Sequence, residues 1–150
     1  AHPRRRGAAG RPAGALTFPV RRPAVAPDRQ QIGRAAEEAA ARFLESRQLR
    51  ILARNYRCRT GEIDIVAQDA RGVVVIAEVR LRADTRYGGA AASVDWKKQR
   101  RIRRATRHLL ARQPALGRNP MRFDVLDLAP DGAEGYRIEW IRHAFEATSR

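Results

Sequence analysis

In "GEIDIVAQDARGVVVIAEVR", residues 61 to 80, Glu62, Asp64 and Glu78 interrupt runs of Ile and Val that otherwise read as a β-hairpin made for a protein core. Side chains alternate along a strand, so Glu62, Asp64 and Val66 share one face, and Ile63 and Ile65 the other. On the second strand Glu78 and Arg80 share a face with Val74 and Ile76. A three-residue turn Ala70-Arg71-Gly72, with Gly72 in the left-handed position, pairs Asp69 with Val73. Counting back puts Asp64 opposite Glu78, with Cβ atoms ~5 Å apart. Two like charges so placed repel unless a cation lies between them. Mg²⁺ suits one or two carboxylates plus waters and a substrate phosphate. Arg80, on the same face, is the other answer. The plainer alternative is a solvent-facing hairpin side whose carboxylates meet arginines.

A third carboxylate comes from the preceding helix. Glu37 falls on the stripe of Gly33, Ala40, Ala41 and Leu44, the face expected to pack inward, whereas Glu38 and Glu45 fall elsewhere. An inward Glu37 can join the same acidic cluster, or pair with Arg34 or Arg42 as an ordinary surface residue.

Positive charge is concentrated in "DWKKQRRIRRATRHLLARQ", with seven Lys or Arg between Lys97 and Arg107. Ile102, Ala105, Leu109 and Leu110 form its packing stripe. Lys97, Lys98, Arg100, Arg101, Arg103, Arg104 and Arg107 cover much of the rest. Such side chains neutralise phosphates without reading sequence, and so dense a run of one sign repels itself unless an anion is near. Arg86, Tyr87 and Trp96 extend the candidate nucleic-acid surface. The two aromatic rings can stack on bases or on the core.

The whole chain has the same bias. Its 150 residues carry a formal net charge of +15 and a pI of about 11.6, which points to a polyanionic partner, nucleic acid first. The single cysteine, Cys58, excludes an internal disulfide and a Cys-based zinc site, and the three histidines have no ligand spacing. The longest apolar run, Val73 to Ala77, is far short of the ~20 residues that span a bilayer. No apolar stretch of signal-peptide length follows the N-terminal arginines. The expectation is a cytoplasmic protein with no membrane contact.

The elements that must position these groups follow from pattern. Residues 1 to 28 are Arg, Pro, Ala and Gly with almost no large apolar residue, and read as a disordered basic arm. Residues 29 to 150 read as one domain. Residues 30 to 47 form a helix with Asp28 or a neighbour as cap, and Ile51 to Arg59 a strand. The hairpin follows, then a loop over residues 82 to 93. A second helix runs from Trp96 to about Gln113, capped by Asp95 or Ser93. "MRFDVLDLA" and Tyr136 to Ala144 are strands joined through "APDGAEG". Asp124 reads as structural, paired with Arg122 or at a strand end.

The blocks "GRAAEEAA", "NYRCRTGEIDIVAQD", "VVVIAEVRLR", "RYGGAAASVDWKKQRRIRRA" and "RFDVLDL" together resemble the YraN-like family of uncharacterised bacterial proteins. That family is similar in turn to the PD-(D/E)xK nuclease superfamily. The resemblance runs from about Ile32 to Phe145. It implies an α/β fold with a restriction-endonuclease-like core, a mixed five-stranded sheet flanked by helices. It further implies a Mg²⁺- (or Mn²⁺-) dependent endonuclease, or structure-selective nuclease, acting on DNA. By the same resemblance Asp64 and Glu78 are the metal ligands, Glu37 the helical carboxylate, and Arg80 stands where the family has lysine. Arginine stays protonated and cannot serve as a base, though it can stabilise developing charge. Either the metal alone activates the water, or Lys97 or Lys98 supplies a displaced ammonium, or the protein is weak or inactive. The alternative function is a non-catalytic nucleic-acid-binding protein that keeps the fold. An adaptor that uses only the basic surface leaves the acidic cluster unexplained. The oligomeric state stays open, a dimer included.

Overall fold

The computed structural model describes residues 16–19, 28–82, 94–133 and 135–147. The elements are β1 (Leu16–Pro19), α1 (Arg29–Ser46), β2 (Arg50–Cys58), β3 (Gly61–Gln68), β4 (Val74–Leu81), α2 (Trp96–Arg112), β5 (Met121–Asp131) and β6 (Gly135–Phe145). A 3-10 turn over Pro114–Arg118 leads from α2 into β5.

Both helices begin where an aspartate closes the first turn. Asp28 accepts from the Gln31 N–H at 2.8 Å, and the Gln31 side chain accepts from the Asp28 N–H at 3.2 Å. This reciprocal box satisfies two donors that the helix start leaves orphaned. Asp95 accepts from the Lys98 N–H at 2.8 Å and starts α2 in the same manner. That bond fixes Lys98 in the first turn, which matters below.

The strands form one sheet in the order β1-β6-β5-β4-β3-β2. Neighbours are antiparallel except β4 and β5, which are parallel. A parallel pair needs a long crossover, and α2 provides it. The expected five-stranded mixed sheet is therefore present as β2 to β6, with a helix on each face. The arm departs from expectation: Leu16–Pro19, assigned by composition to a disordered segment, pairs with β6 as a sixth strand. The outer edge of β6 would otherwise present unpaired N–H and C=O groups, and these four residues cover its first part, Gly135 to Ile138. The expected loop, residues 82 to 93, lies almost wholly outside the described residues.

Two apolar layers hold the sheet. Ala36, Ala39, Ala40, Phe43 and Leu44 of α1 pack on Ile65, Ala67, Val75, Ala77, Leu126 and Leu128. On the other face Ile102, Ala105 and Leu109 of α2 meet Val66, Val74, Ile76, Phe123 and Val125. Alanines let α1 approach the sheet closely. Gly33, expected on that inward stripe, is instead exposed near the helix start.

The β3–β4 hairpin has the expected register: Gln68 pairs with Val74 and Ile65 with Ala77. Gly72 has φ of 90°, and the Asp69 carboxylate accepts from the Arg71 and Val73 N–H groups, each at 2.9 Å. The expected face assignment fails at one place. Ile65 faces the α1 layer, but Ile63 packs in the α2 layer together with Val66. Strict alternation is lost at Asp64. There the regular ladder ends, and the Val79 N–H donates to Asp64 Oδ2 at 2.8 Å. Opposite, on β2, Asn55 has φ of 51°, a left-handed kink in the adjoining strand.

Candidate active site

Extending the hairpin count beyond Ile65 and Ala77 brings Asp64 level with Glu78. Their carboxyl groups lie close enough together that Glu78 makes Asp64 harder to ionise. Glu78 is buried, with 4% of its surface exposed. Burial pushes the Asp64 pKa up to about 7, and the Glu78 charge beside it adds to the rise. The Val79 N–H and the Lys98 ammonium act in the other direction. Near neutral pH this pair is held short of positive charge.

The cation that does reach it comes from α2. Lys98 Nζ forms an ion pair with Glu78 Oε1. Burial works to lower the Lys98 pKa, but the Glu78 bond and the charges of Glu78 and Asp64 outweigh it and leave the pKa raised. Sequence reasoning named Lys98 among the phosphate-binding residues and as a source of displaced ammonium, without placing it on Glu78. The signal was helical spacing. Lys98, Ile102, Ala105 and Leu109 fall on one stripe, so the lysine heads the face that packs on the sheet.

What fixes α2 at this depth is Gly61. A Cβ there would collide with the backbone carbonyl of Arg101, so only glycine lets the helix lie so close to the start of β3. Beside the contact is a cleft of about 220 Å³ lined by Glu62, Glu78, Asp95, Lys97, Lys98 and Arg101.

The other expected site residues take different positions. Glu37 approaches from α1, with the Asn55 side chain near enough to work against the rise in its pKa. Burial is the larger cause of its raised pKa, with the nearby Asp64 charge contributing. It thus stands beside the pair rather than within it. Arg80 lies level with Asp127 in the β4–β5 register, and its charge acts on both Asp127 and Lys98. Asp127, whose pKa burial raises, also pairs with Arg82 at 2.6 Å. Arg100, Arg101 and Arg104 are exposed along α2. Arg103, counted in sequence with the basic surface, is buried. It turns under Trp96 and Phe145, where two aromatic faces and a carbonyl receive it. Arg86 and Tyr87 lie outside the described residues.

Among the described residues no group of three or more His, Cys, Asp and Glu is gathered to hold a metal ion. Asp64 and Glu78 offer hard oxygen donors only, a donor set that suits Mg²⁺ or Mn²⁺ completed by water and phosphate better than Zn²⁺. No helix among the described residues is long and apolar enough to cross a membrane.

The family model of an uncharacterised protein family, UPF0102, matches residues 36–128. The UPF0102 protein of Alcanivorax borkumensis is 45% identical over 117 residues, covering 78% of this chain and 93% of that protein. UPF0102 protein RSc3265 of Ralstonia nicotianae is 50% identical over 117 residues, 75% of this chain and 85% of that one. A Pseudomonas putida relative, UPF0102 protein PputGB1_4524, is 42% identical over 124 residues, 83% and 98% of the two chains. Among solved structures, that of Pyrococcus furiosus SfsA in complex with Ca²⁺ is similar at a TM-score of 0.37 and 13% identity. The match covers 73% of this chain and 63% of that one, less than two thirds of its length.

Proposed function

The chain belongs to the uncharacterised protein family UPF0102, and from that premise we propose that it is a Mg²⁺- or Mn²⁺-dependent endonuclease that hydrolyses phosphodiester bonds in DNA. The observation that carries the reading is the half-buried Asp64 set beside the buried Glu78, with an ammonium on Glu78, at the foot of a strongly cationic helix. Two carboxylates in mutual contact destabilise the fold they sit in, and a site that keeps them together is suited to a divalent cation.

In this reading Asp64 and Glu78 hold the metal. A bound Mg²⁺ would offset charge on the scissile phosphate and make a water acidic enough to attack it. Lys98, now on Glu78, would offer its ammonium to the phosphate, the role the resemblance gives to the lysine that Arg80 replaces. Arg80 adds positive charge from the same face of β4. Glu37 stands in the outer shell, near Asp64 and Asn55. Lys97, Arg100, Arg101 and Arg104 neutralise flanking phosphates, with Arg86 and Tyr87 the expected contacts from residues 82 to 93. The setting proposed is the reducing cytoplasm.

One observation favours a second reading, a non-catalytic DNA-binding protein. Lys98 already neutralises Glu78, so the acidic pair is in part satisfied without a metal. A cleavage panel separates the two. DNA and RNA in duplex, flap, junction and single-stranded form are incubated with Mg²⁺, Mn²⁺ or EDTA, for wild type, Asp64→Asn and Lys98→Gln. The nuclease reading expects metal-dependent cleavage of DNA, lost in Asp64→Asn while binding persists. It expects a rate roughly 10²–10³-fold lower in Lys98→Gln, the scale of losing one transition-state donor. Binding with no cleavage by wild type in either metal leaves the second reading.

A further inference from the structure

Trp96 opens α2 with its indole 51% exposed, an unusual position for a large apolar ring. The ring is nevertheless held in place. Arg103, two turns further on, lays its guanidinium 5.3 Å from the Trp96 centroid and 5.4 Å from that of Phe145. It donates through Nε and Nη2 to the Glu146 carbonyl at 3.0 and 2.9 Å, and through Nη2 to the Gln99 side chain at 3.0 Å. Only 7% of Arg103 is exposed, and its Nη1 has no hydrogen-bond partner among the described residues. Burying a cation with an unmet donor is costly, and the two ring faces offset part of that cost. The result is a rigid aromatic ring, backed by a fixed charge and open to solvent.

Its surroundings point to what meets it. Asp95 and Lys97, the chain neighbours of Trp96, line the cleft with Glu78, so the residue that carries the ring sits at the cleft's margin. Lys97, Arg100, Arg101 and Arg104 are exposed cations on the same helix, Arg100 one turn along from the ring. An aromatic face among phosphate-binding cations is the composition of a single-strand platform, where bases stack and cations follow the backbone. Within an intact duplex both faces of each base are already stacked, so the ring selects for a base out of the helix.

We propose that Trp96 is a stacking platform for an unpaired nucleobase, so that the substrate brings a single-stranded segment, as an end, flap or gap, to the cleft. The proposal rests on nucleic acid as the occupant of the cleft and adds the form that the nucleic acid takes.

The test needs no catalysis. Wild type, Trp96→Phe and Trp96→Leu are titrated in EDTA with a thymidine oligonucleotide and with a blunt duplex, by fluorescence anisotropy at one salt concentration. Thermal melts confirm that each variant is folded. Trp96→Leu should weaken single-strand binding roughly five- to hundredfold, the range for losing one stacked base, and leave the duplex unchanged. Trp96→Phe should keep most of the affinity. The oligonucleotide should also quench an indole signal that is present in wild type and missing in Trp96→Leu. Equal single-strand affinity of Trp96→Leu and wild type overturns the platform, as does an equal loss on both ligands. Wild type that binds neither ligand overturns the platform together with the nucleic-acid reading. Wild type that shows the Trp96-dependent preference yet cleaves nothing in Mg²⁺ or Mn²⁺ leaves the platform standing and removes the nuclease.

Discussion

Asp124 and Asp64 are both aspartates in the sheet, and the protein furnishes them in opposite ways. Asp124 is fully buried and surrounded by donors. The Arg122 Nε lies 3.1 and 3.0 Å from its two oxygens, the Trp140 Nε1 2.8 Å from Oδ2, and the His143 N–H 3.1 Å from Oδ1. Asp64 has one backbone donor and, as its nearest charged neighbour, another carboxylate. The first arrangement is complete and ties β5 to β6. The second sets two carboxylates side by side, with the Lys98 ammonium on one of them. Burial alone therefore does not distinguish the two carboxylates; the supply of donors does, and a carboxylate short of them is the one suited to an added cation.

If that contrast is right, removing the two side chains should have effects of opposite sign. Asp124→Ala leaves the Arg122 guanidinium, the Trp140 N–H and the His143 N–H without their acceptor. It should destabilise the fold by roughly 3–5 kcal/mol, the scale for breaking a buried pair from one side. Asp64→Asn should stabilise it, and only at higher pH. The unfolded chain ionises Asp64 near its ordinary 3.8, whereas the folded chain keeps the proton up to about 7. Between those values the folded state binds more protons, so wild-type stability falls as pH rises from about 4 to about 7 and then levels off. The loss is about 2–4 kcal/mol, from a shift of about 3 pKa units. Denaturant midpoints across this range should slope for wild type and lie flat, at this group, for Asp64→Asn. At pH 8 Mg²⁺ should raise the wild-type midpoint and leave the variant's unchanged. A stable Asp124→Ala, or an Asp64→Asn no more stable than wild type at pH 8, breaks the comparison.

A smaller effect sharpens it from the helix side. Gly61→Ala pushes a methyl into the Arg101 carbonyl, so α2 must shift. The expected cost is about 1–3 kcal/mol, as for other overpacked sites. Activity at a temperature where the variant is folded should fall further than that of an equally destabilised variant elsewhere. Lys98 moves with the helix, whereas Asp64 and Glu78 stay with the sheet. Activity loss that merely follows stability would mean that Lys98 has no part in the site.

The hairpin register from Gln68–Val74 to Ile65–Ala77 was legible in sequence because it is local: a three-residue turn with glycine in its left-handed position sets it, and Gly72 adopts that position. Both helix starts were legible for the same reason, each being a side chain bonded three residues ahead. The Lys98–Glu78 pair was harder, since it depends on how deep α2 sits and so on the absence of a side chain at Gly61, a contact across layers. Periodicity also misplaced Ile63, because alternation assumes a straight strand and Asp64 breaks the ladder with its own carboxylate. Arg103 misled in the opposite sense. Its charge suggested solvent, and the pairing of two rings with a free carbonyl that buries it is visible only in three dimensions.

Glu38 tests the comparison from a third position and should give the smallest effect. Both of its oxygens have a cationic partner: Arg42 Nε bonds one at 2.9 Å and Arg54 Nη1 the other at 2.6 Å. Those two bonds hold its pKa below the ordinary glutamate value. The sign is therefore the reverse of that for Asp64. Its contribution is present above the unfolded pKa and lost as pH falls through the folded one. Its side chain is 39% exposed, however, so water and salt screen both pairs. Glu38→Ala should cost about 0.5 kcal/mol and less in high salt, whereas the cost of Asp124→Ala should scarcely respond to salt. Denaturant midpoints of the two variants at low and high NaCl decide the matter. A Glu38→Ala cost near that of Asp124→Ala would mean that the number of partners, rather than burial, sets the worth of a carboxylate in this protein. The shortage at Asp64 would then lose its meaning as a mark of function.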